Sequence, residues 1–138
     1  MAGFTFAYRL SGGQPTVKKI VMKDTETLTK GDLANLETGQ IDLGATADAK
    51  FLGAVQETVA GTTAVTKVEV ITDADAVYSV TDANARVEGA TLDLTGATGA
   101  QGVTTSSNKE FVVVATCTST QPTLVRFNVG KHCENVAY

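Results

Sequence analysis

The chain has 138 residues, a net charge of −4 and no tryptophan, a size at which one domain buries a core without metal or disulfide support. The acidic balance argues against a general nucleic-acid binder, because neutralising phosphates requires a basic surface. No run approaches the roughly 18 apolar residues of a membrane span, and the start MAGFTFAYRL lacks the pattern of a secretory signal. We therefore expect a protein that is made in the cytoplasm and has no membrane partner.

Threonine (22), alanine (18) and valine (17) dominate the composition. Threonine and valine suit a pleated, half-buried surface, and few long straight-chain residues remain for helices. The composition therefore predicts an all-β fold. Charge is unevenly placed: residues 1–31 carry five basic and two acidic groups, whereas the remainder carries six basic and thirteen acidic groups. This asymmetry is either a solvated surface or a basic end that docks on an acidic partner.

The first element is an alternating segment in which Phe4, Phe6, Tyr8 and Leu10 share one face of an extended chain. SGGQP then breaks the pattern with two glycines and a proline. The sequence thus predicts an N-terminal arm and flexible joint at 1–15 and a single β-rich domain at 16–138. The arm either folds back as an edge strand of its own domain or lies on a partner by strand addition.

The body shows short apolar or alternating segments at roughly ten-residue spacing, the pattern of a small β-sandwich or β-barrel of about eight strands. The longest segment, EFVVVATCTS (110–119), is apolar on both faces at its start and is predicted to be central. Gly53 inside FLGAVQETV (51–59) indicates a bulge or a close backbone approach. The other predicted strands are VKKIVM (17–22), a short strand after the turn at 30–32, QIDL (40–43), KVEVI (67–71), VYSV (77–80), TLDL (91–94) and TLVRFNVG (123–130).

A glycine-rich stretch, TLDLTGATGAQGVTT (91–105), resembles a ligand loop at first sight. A phosphate loop requires G-x-x-x-x-G-K-[ST] with a helix behind it, and neither the lysine nor the helix pattern is present. Two proline-free triplets are too few for a collagen helix. We therefore interpret Gly96, Gly99 and Gly102 as slack in a long loop between two strands.

The sequence offers little catalytic or metal-binding chemistry. Asp73 and Asp75 are spaced like calcium ligands, but the later ligands of an EF-hand loop are missing, so a solvated turn is favoured. His132 is the only histidine and adjoins Cys133, which points to the other face of a strand. Cys117 and Cys133 are either reduced core residues or one late-formed bridge. We expect no enzyme activity, no metal and no cofactor.

Three runs carry a resemblance to a known family: KGDLANLETGQIDLG (30–44), FLGAVQETVAGTT (51–63) and VEVITDADAVYSVTDANARVEGATLDLTGATGAQG (68–102). They resemble the capsid decoration, or cement, proteins of tailed bacteriophages, over residues from about 28 to 130. The resemblance rests on the regular succession of short strands and turns, and no family motif marks functional residues. It implies a structural virion protein, often trimeric, that binds the outside of a shell of major capsid protein and stabilises it.

The sequence itself predicts where such a protein contacts its shell. Aromatic and arginine side chains are the usual anchors of interfaces. The predicted capsid-contact residues are therefore Phe4, Phe6, Tyr8, Arg9 and Leu10. The alternative function is a carbohydrate- or receptor-binding β-domain of a phage fibre or surface protein, although sugar sites generally use exposed aromatic platforms and the body's aromatic residues mostly fall in core positions.

Overall fold

The strands of this protein alternate with tight turns throughout a computed structural model that describes residues 3–48, 50–61, 66–105 and 107–133. Thirteen strands, and no α-helix, lie within these ranges, which confirms the all-β prediction. The strands are β1 (Phe4–Arg9), β2 (Val17–Val21), β3 (Thr27–Leu28), β4 (Leu33–Glu37), β5 (Gln40–Leu43), β6 (Phe51–Ala54), β7 (Val59–Ala60), β8 (Lys67–Ile71), β9 (Ala76–Val80), β10 (Thr91–Thr95), β11 (Gly102–Thr104), β12 (Phe111–Val113) and β13 (Thr123–Phe127). None of the described residues forms a helix long and apolar enough to cross a membrane.

The larger layer is a six-stranded antiparallel sheet in the order β1-β9-β13-β12-β10-β11. Its inward side chains build an aromatic cluster, since alternate residues of each strand point to one face. The rings of Phe4 and Phe111 stack at 5.3 Å between centroids, and those of Phe51 and Phe127 stack at 5.4 Å. This cluster is the core of the sheet and lies against the second layer.

The second layer is a small barrel. Strands β5, β4 and β6 form one sheet and β2 and β8 form another. Isolated bridges join Val55 to Val70 and Met22 to Ile41, so the pairings run in a circuit through β2, β8, β6, β4 and β5. The interior is a separate aliphatic cluster that contains these four side chains.

Strands β4 and β6 are shared by the two cores because both of their faces are buried. Phe51 and Ala54 point into the aromatic cluster, whereas Leu52 points into the barrel. Gly53 lies where the β4–β6 register shifts, and a Cβ there would sit 2.2 Å from the carbonyl oxygen of Ile71. The predicted bulge and close approach at Gly53 are thus both confirmed.

The longest predicted strand, 110–119, is only partly correct. Its first half forms β12, which lies inside the six-stranded sheet as expected, but β12 ends at Val113. After one more backbone bond, from the Val114 N–H to the Leu124 carbonyl at 2.8 Å, the chain leaves the ladder, and Cys117 pairs with Arg86 in an isolated bridge. Both cysteines are free thiols, with Cys117 buried and Cys133 half-buried.

Candidate functional site

Of the two alternatives for the N-terminal arm, the structure shows the edge strand. Strand β1 pairs antiparallel with β9, from Phe4 opposite Val80 to Arg9 opposite Ala76. Phe4 is 2% exposed and stacks in the aromatic core, and Phe6 packs partly against the same cluster. The arm therefore belongs to the same folded body as the rest of the chain. Phe4 contributes to that core and is not part of an exposed contact surface.

A β-bulge divides β1 into two halves. The register shifts between Phe6 and Tyr8, so that Ala7 is the extra residue. A single extra residue reverses which face the following side chains occupy. Tyr8 is consequently 41% exposed and Leu10 55% exposed. The prediction that all four alternating residues share one face is wrong beyond the bulge.

Arg9 is bound within the chain. Its Nε lies 3.0 Å from Oδ1 of Asp75, and one terminal nitrogen lies 3.6 Å from Oδ1 of Asp73. Asp75 also accepts hydrogen bonds from the backbone and hydroxyl of Ser11, and Asp73 accepts one from the Thr16 N–H at 2.6 Å. The interpretation of this acidic pair as a solvated turn is wrong: the two carboxylates fasten both ends of the SGGQP connection.

The first half of β1, before the bulge, lines a groove of about 440 Å³. One wall is β1 itself from Gly3 to Phe6, and the opposite wall is formed by residues 29–31 with Val55 and Gln56. Because β1 is the last strand of its sheet, the groove runs along its outer edge, where Phe4 is bonded to Gly31 in the opposite wall and the outward backbone groups of Phe6 have no partner among the described residues. This groove, with Tyr8 and Leu10 beyond it, is the candidate functional site.

The glycine-rich loop reaches this groove and is held in place by side-chain hydrogen bonds, so its interpretation as slack between two strands is wrong. Thr95 pairs with Gly102, so residues 96–101 form the connection of a β10–β11 hairpin. The buried carboxylate of Asp32 accepts hydrogen bonds from the Thr98 hydroxyl at 2.5 Å and from the Gly99 N–H at 2.9 Å. Gly99 then lines the groove. The sequence did not reveal this role, because the partners are more than 60 residues apart.

Gln101 anchors the same loop to the barrel. Its Oε1 accepts a hydrogen bond from the Leu33 N–H at 2.8 Å, and its Nε2 donates to the Gly44 carbonyl at 2.8 Å. Leu33 and Gly44 are themselves joined by a backbone bond, so the side-chain amide closes the end of the β4–β5 ladder. The Gln101 carbonyl in turn accepts a bond from the Gly3 N–H, just before β1 begins. No sequence signal marked this residue.

The residues considered for chemistry have structural partners. His132 is buried, with Nε2 2.8 Å from the Leu52 carbonyl oxygen and its ring 5.6 Å from that of Phe127. Asp73 and Asp75 contact the SGGQP connection, as described above, and share none of these partners of His132. In the described part of the chain, no group of three or more His, Cys, Asp or Glu side chains is arranged to hold a metal ion.

Comparison with known proteins adds no family to these observations. No protein-family model matches the chain, and no curated protein matches it. The candidate site therefore rests on the strand edge, the groove and the exposed side chains alone.

Proposed function

We propose that this protein is a structural virion protein, not an enzyme, which binds the outer surface of a tailed-phage capsid as a trimer and stabilises the assembled shell. The proposal combines the sequence resemblance of residues 28–130 with the outer edge of β1, the last strand of its sheet, beside exposed Tyr8 and Leu10. The edge is the observation that carries it. A strand edge flanked by an apolar groove suits an extended protein segment.

The distribution of aromatic side chains favours a protein partner over a sugar. The rings of Phe51, Tyr78, Phe111 and Phe127 are all buried in the domain core. Tyr8 is the one large aromatic side chain among the described residues with more than a third of its surface exposed. A single exposed ring provides less of the platform on which carbohydrates stack, whereas interfaces commonly use one tyrosine beside aliphatic neighbours.

Co-sedimentation tests the proposal. Expanded shells assembled from a tailed-phage major capsid protein, the proposed partner, are mixed with increasing amounts of the purified protein, and both bound protein and shell rupture temperature are measured. We expect saturable binding at a fixed number of copies per shell and a higher rupture temperature. Absence of saturable binding contradicts the proposal, and binding with an unchanged rupture temperature removes the stabilising role.

A variant pair locates the contact. Changing both Tyr8 and Leu10 to alanine removes two exposed apolar side chains near the groove, and we expect shell affinity to fall at least about tenfold, as for interface anchors. Changing Val87 and Val129 to alanine removes apolar side chains that are 67% and 83% exposed elsewhere. This matched control should bind like the wild type. Equal affinity of the two variants would remove Tyr8 and Leu10 from the contact.

A further inference from the structure

We infer that the groove along β1 receives a short, acidic, extended segment of a partner protein, which adds to the six-stranded sheet as an extra strand. The identity of the partner as the shell protein rests on the function proposed above. The mode of binding rests only on the backbone, shape and charge of the groove.

Within the described part of the chain, the backbone of β1 offers one free N–H and C=O pair on the groove side, at Phe6. The Phe4 N–H points away from β9, because it donates to the Gly31 carbonyl at 2.8 Å. In an antiparallel pair the direction of the backbone groups alternates from residue to residue. Thr5 therefore bonds to β9, and the N–H and C=O of Phe6 point to the groove. Among the described residues, none outside the β1–β9 pairing is bonded to the Phe6 backbone.

The groove has room for a second backbone at that position. Gly3 and Gly31 lie in backbone contact at one end of the groove, where a Cβ on Gly3 would sit 3.2 Å from the Gly31 carbonyl oxygen, so the open space lies beyond them, beside Thr5 and Phe6. Phe6 is partly exposed and supplies apolar surface for a side chain of an added strand. The edge is occupied at Phe4 by the bond to Gly31 and ends at the bulge after Phe6, so about two or three residues of an added strand can pair there.

The charge of the groove indicates which kind of partner segment it favours. Lys30 is the single charged side chain among the described residues that line the groove, and it is exposed. Residues 1–31 as a whole carry a charge of +3. An acidic residue in the added strand would thus meet the Lys30 ammonium, whereas a basic one would be repelled by it. A second copy of this chain is the competing occupant, and the experiment separates the two.

Titration of the full-length protein with defined peptides tests the inference. The peptides are the acetylated, amidated pentapeptide TVEVT, its basic counterpart TVKVT, and TVEPT, which lacks one backbone donor. Amide chemical shifts are followed by NMR. We expect TVEVT to shift the amides of Phe6, Gly31 and Gly99, with weaker binding of the other two peptides. No binding of TVEVT at millimolar concentration, or shifts confined to other surfaces, overturns the inference.

Two variant pairs separate charge from backbone recognition. Lys30→Glu should weaken TVEVT binding about two- to fivefold and favour TVKVT, whereas Lys19→Glu, an exposed position on β2, should change neither. Phe6→Pro and Phe6→Ala both remove the ring, but only proline removes the outward N–H, at an edge position that tolerates it. Equal TVEVT affinity in these two variants overturns strand addition.

The remaining outcomes are equally decisive. Amide shifts at the groove that depend on protein concentration without peptide identify a second copy as the occupant and overturn the inference. If wild type and Lys30→Glu bind shells equally while neither binds peptide, the proposed function stands and the groove is not its contact. If TVEVT binds as expected but the wild type does not bind shells, the strand-addition site stands and the proposed function fails.

Discussion

Replacing Gln101 by alanine tests whether the glycine-rich loop holds the two layers together. The side chain is 1% exposed and makes two hydrogen bonds of 2.8 Å, to the Leu33 N–H and the Gly44 carbonyl. Alanine leaves both backbone groups buried without these partners. Each unsatisfied buried group costs about 1–3 kcal/mol, so for the two groups we expect the free energy of unfolding to fall by about 2–6 kcal/mol. That is a large fraction of the about 5–15 kcal/mol typical of a domain.

Chemical denaturation measures the effect, with two control variants. Gln101→Met also lacks both hydrogen bonds but fills most of the volume, so it separates the polar loss from the cavity. Gln121→Ala removes a glutamine whose bond to the Thr118 N–H is exposed, and it should change stability by less than about 0.5 kcal/mol. If Gln101→Ala costs no more than Gln121→Ala, the amide is not closing the β4–β5 ladder and the reasoning is refuted.

Three further predictions concern backbone contact and pH. Gly53→Ala should lower the free energy of unfolding by at least about 2 kcal/mol in urea, because its Cβ would lie 2.2 Å from a carbonyl oxygen; a loss below 1 kcal/mol contradicts this. Burial, with Glu37 nearby, raises the pKa of Asp42 to about 6, so wild-type stability falls as pH rises from about 4 to 6. Asp42→Asn should therefore gain stability relative to wild type over that window, and a constant difference in pH-dependent melting contradicts it. The Ser11 hydroxyl, with further hydrogen bonds, lowers the pKa of Asp75 to about 2. Its stabilisation is present above pH 4 and lost towards pH 2, so Asp75→Asn should cost up to about 1 kcal/mol at pH 7 and almost nothing at pH 2 in the same melts.

The sequence was sufficient for the fold class because β propensity and alternation are local properties. KVEVI and TLVRFNVG contain strands β8 and β13, with Val68, Val70 and Val125 in the core as predicted. Val129, which was also predicted to face inward, lies past the end of β13 and is 83% exposed. Strands β3 and β7 were not predicted, since each has only two residues and pairs with a distant partner. The long apolar run at 110–119 was overextended because hydrophobicity does not show where a ladder ends.

The candidate site could be predicted only in part. The alternation of Phe4 to Leu10 correctly marked a strand, but nothing in it indicated the bulge that exposes Tyr8. The links through Asp32 and Gln101 join residues 66 to 68 positions apart. Side-chain bonds to distant backbone leave no periodic signal in one sequence. The groove depends on those links, so it could not be predicted from the sequence.

The position of β1 within the sheet changes the energetics of binding. A free arm would lose about 1–2 kcal/mol of backbone entropy for each residue that it orders on a partner, or about 6–12 kcal/mol for the six residues of β1. In this fold the backbone entropy of β1 is lost when the chain folds, and burial of Phe4 in the aromatic cluster helps to offset that loss. Under the proposed strand addition only the incoming segment would lose freedom on binding, so a short strand in a preformed groove would bind more tightly than the same contacts made by a flexible arm. Because Gly3 is bonded to the Gln101 carbonyl, the loop that Gln101 anchors to the barrel also fixes the start of the proposed binding edge.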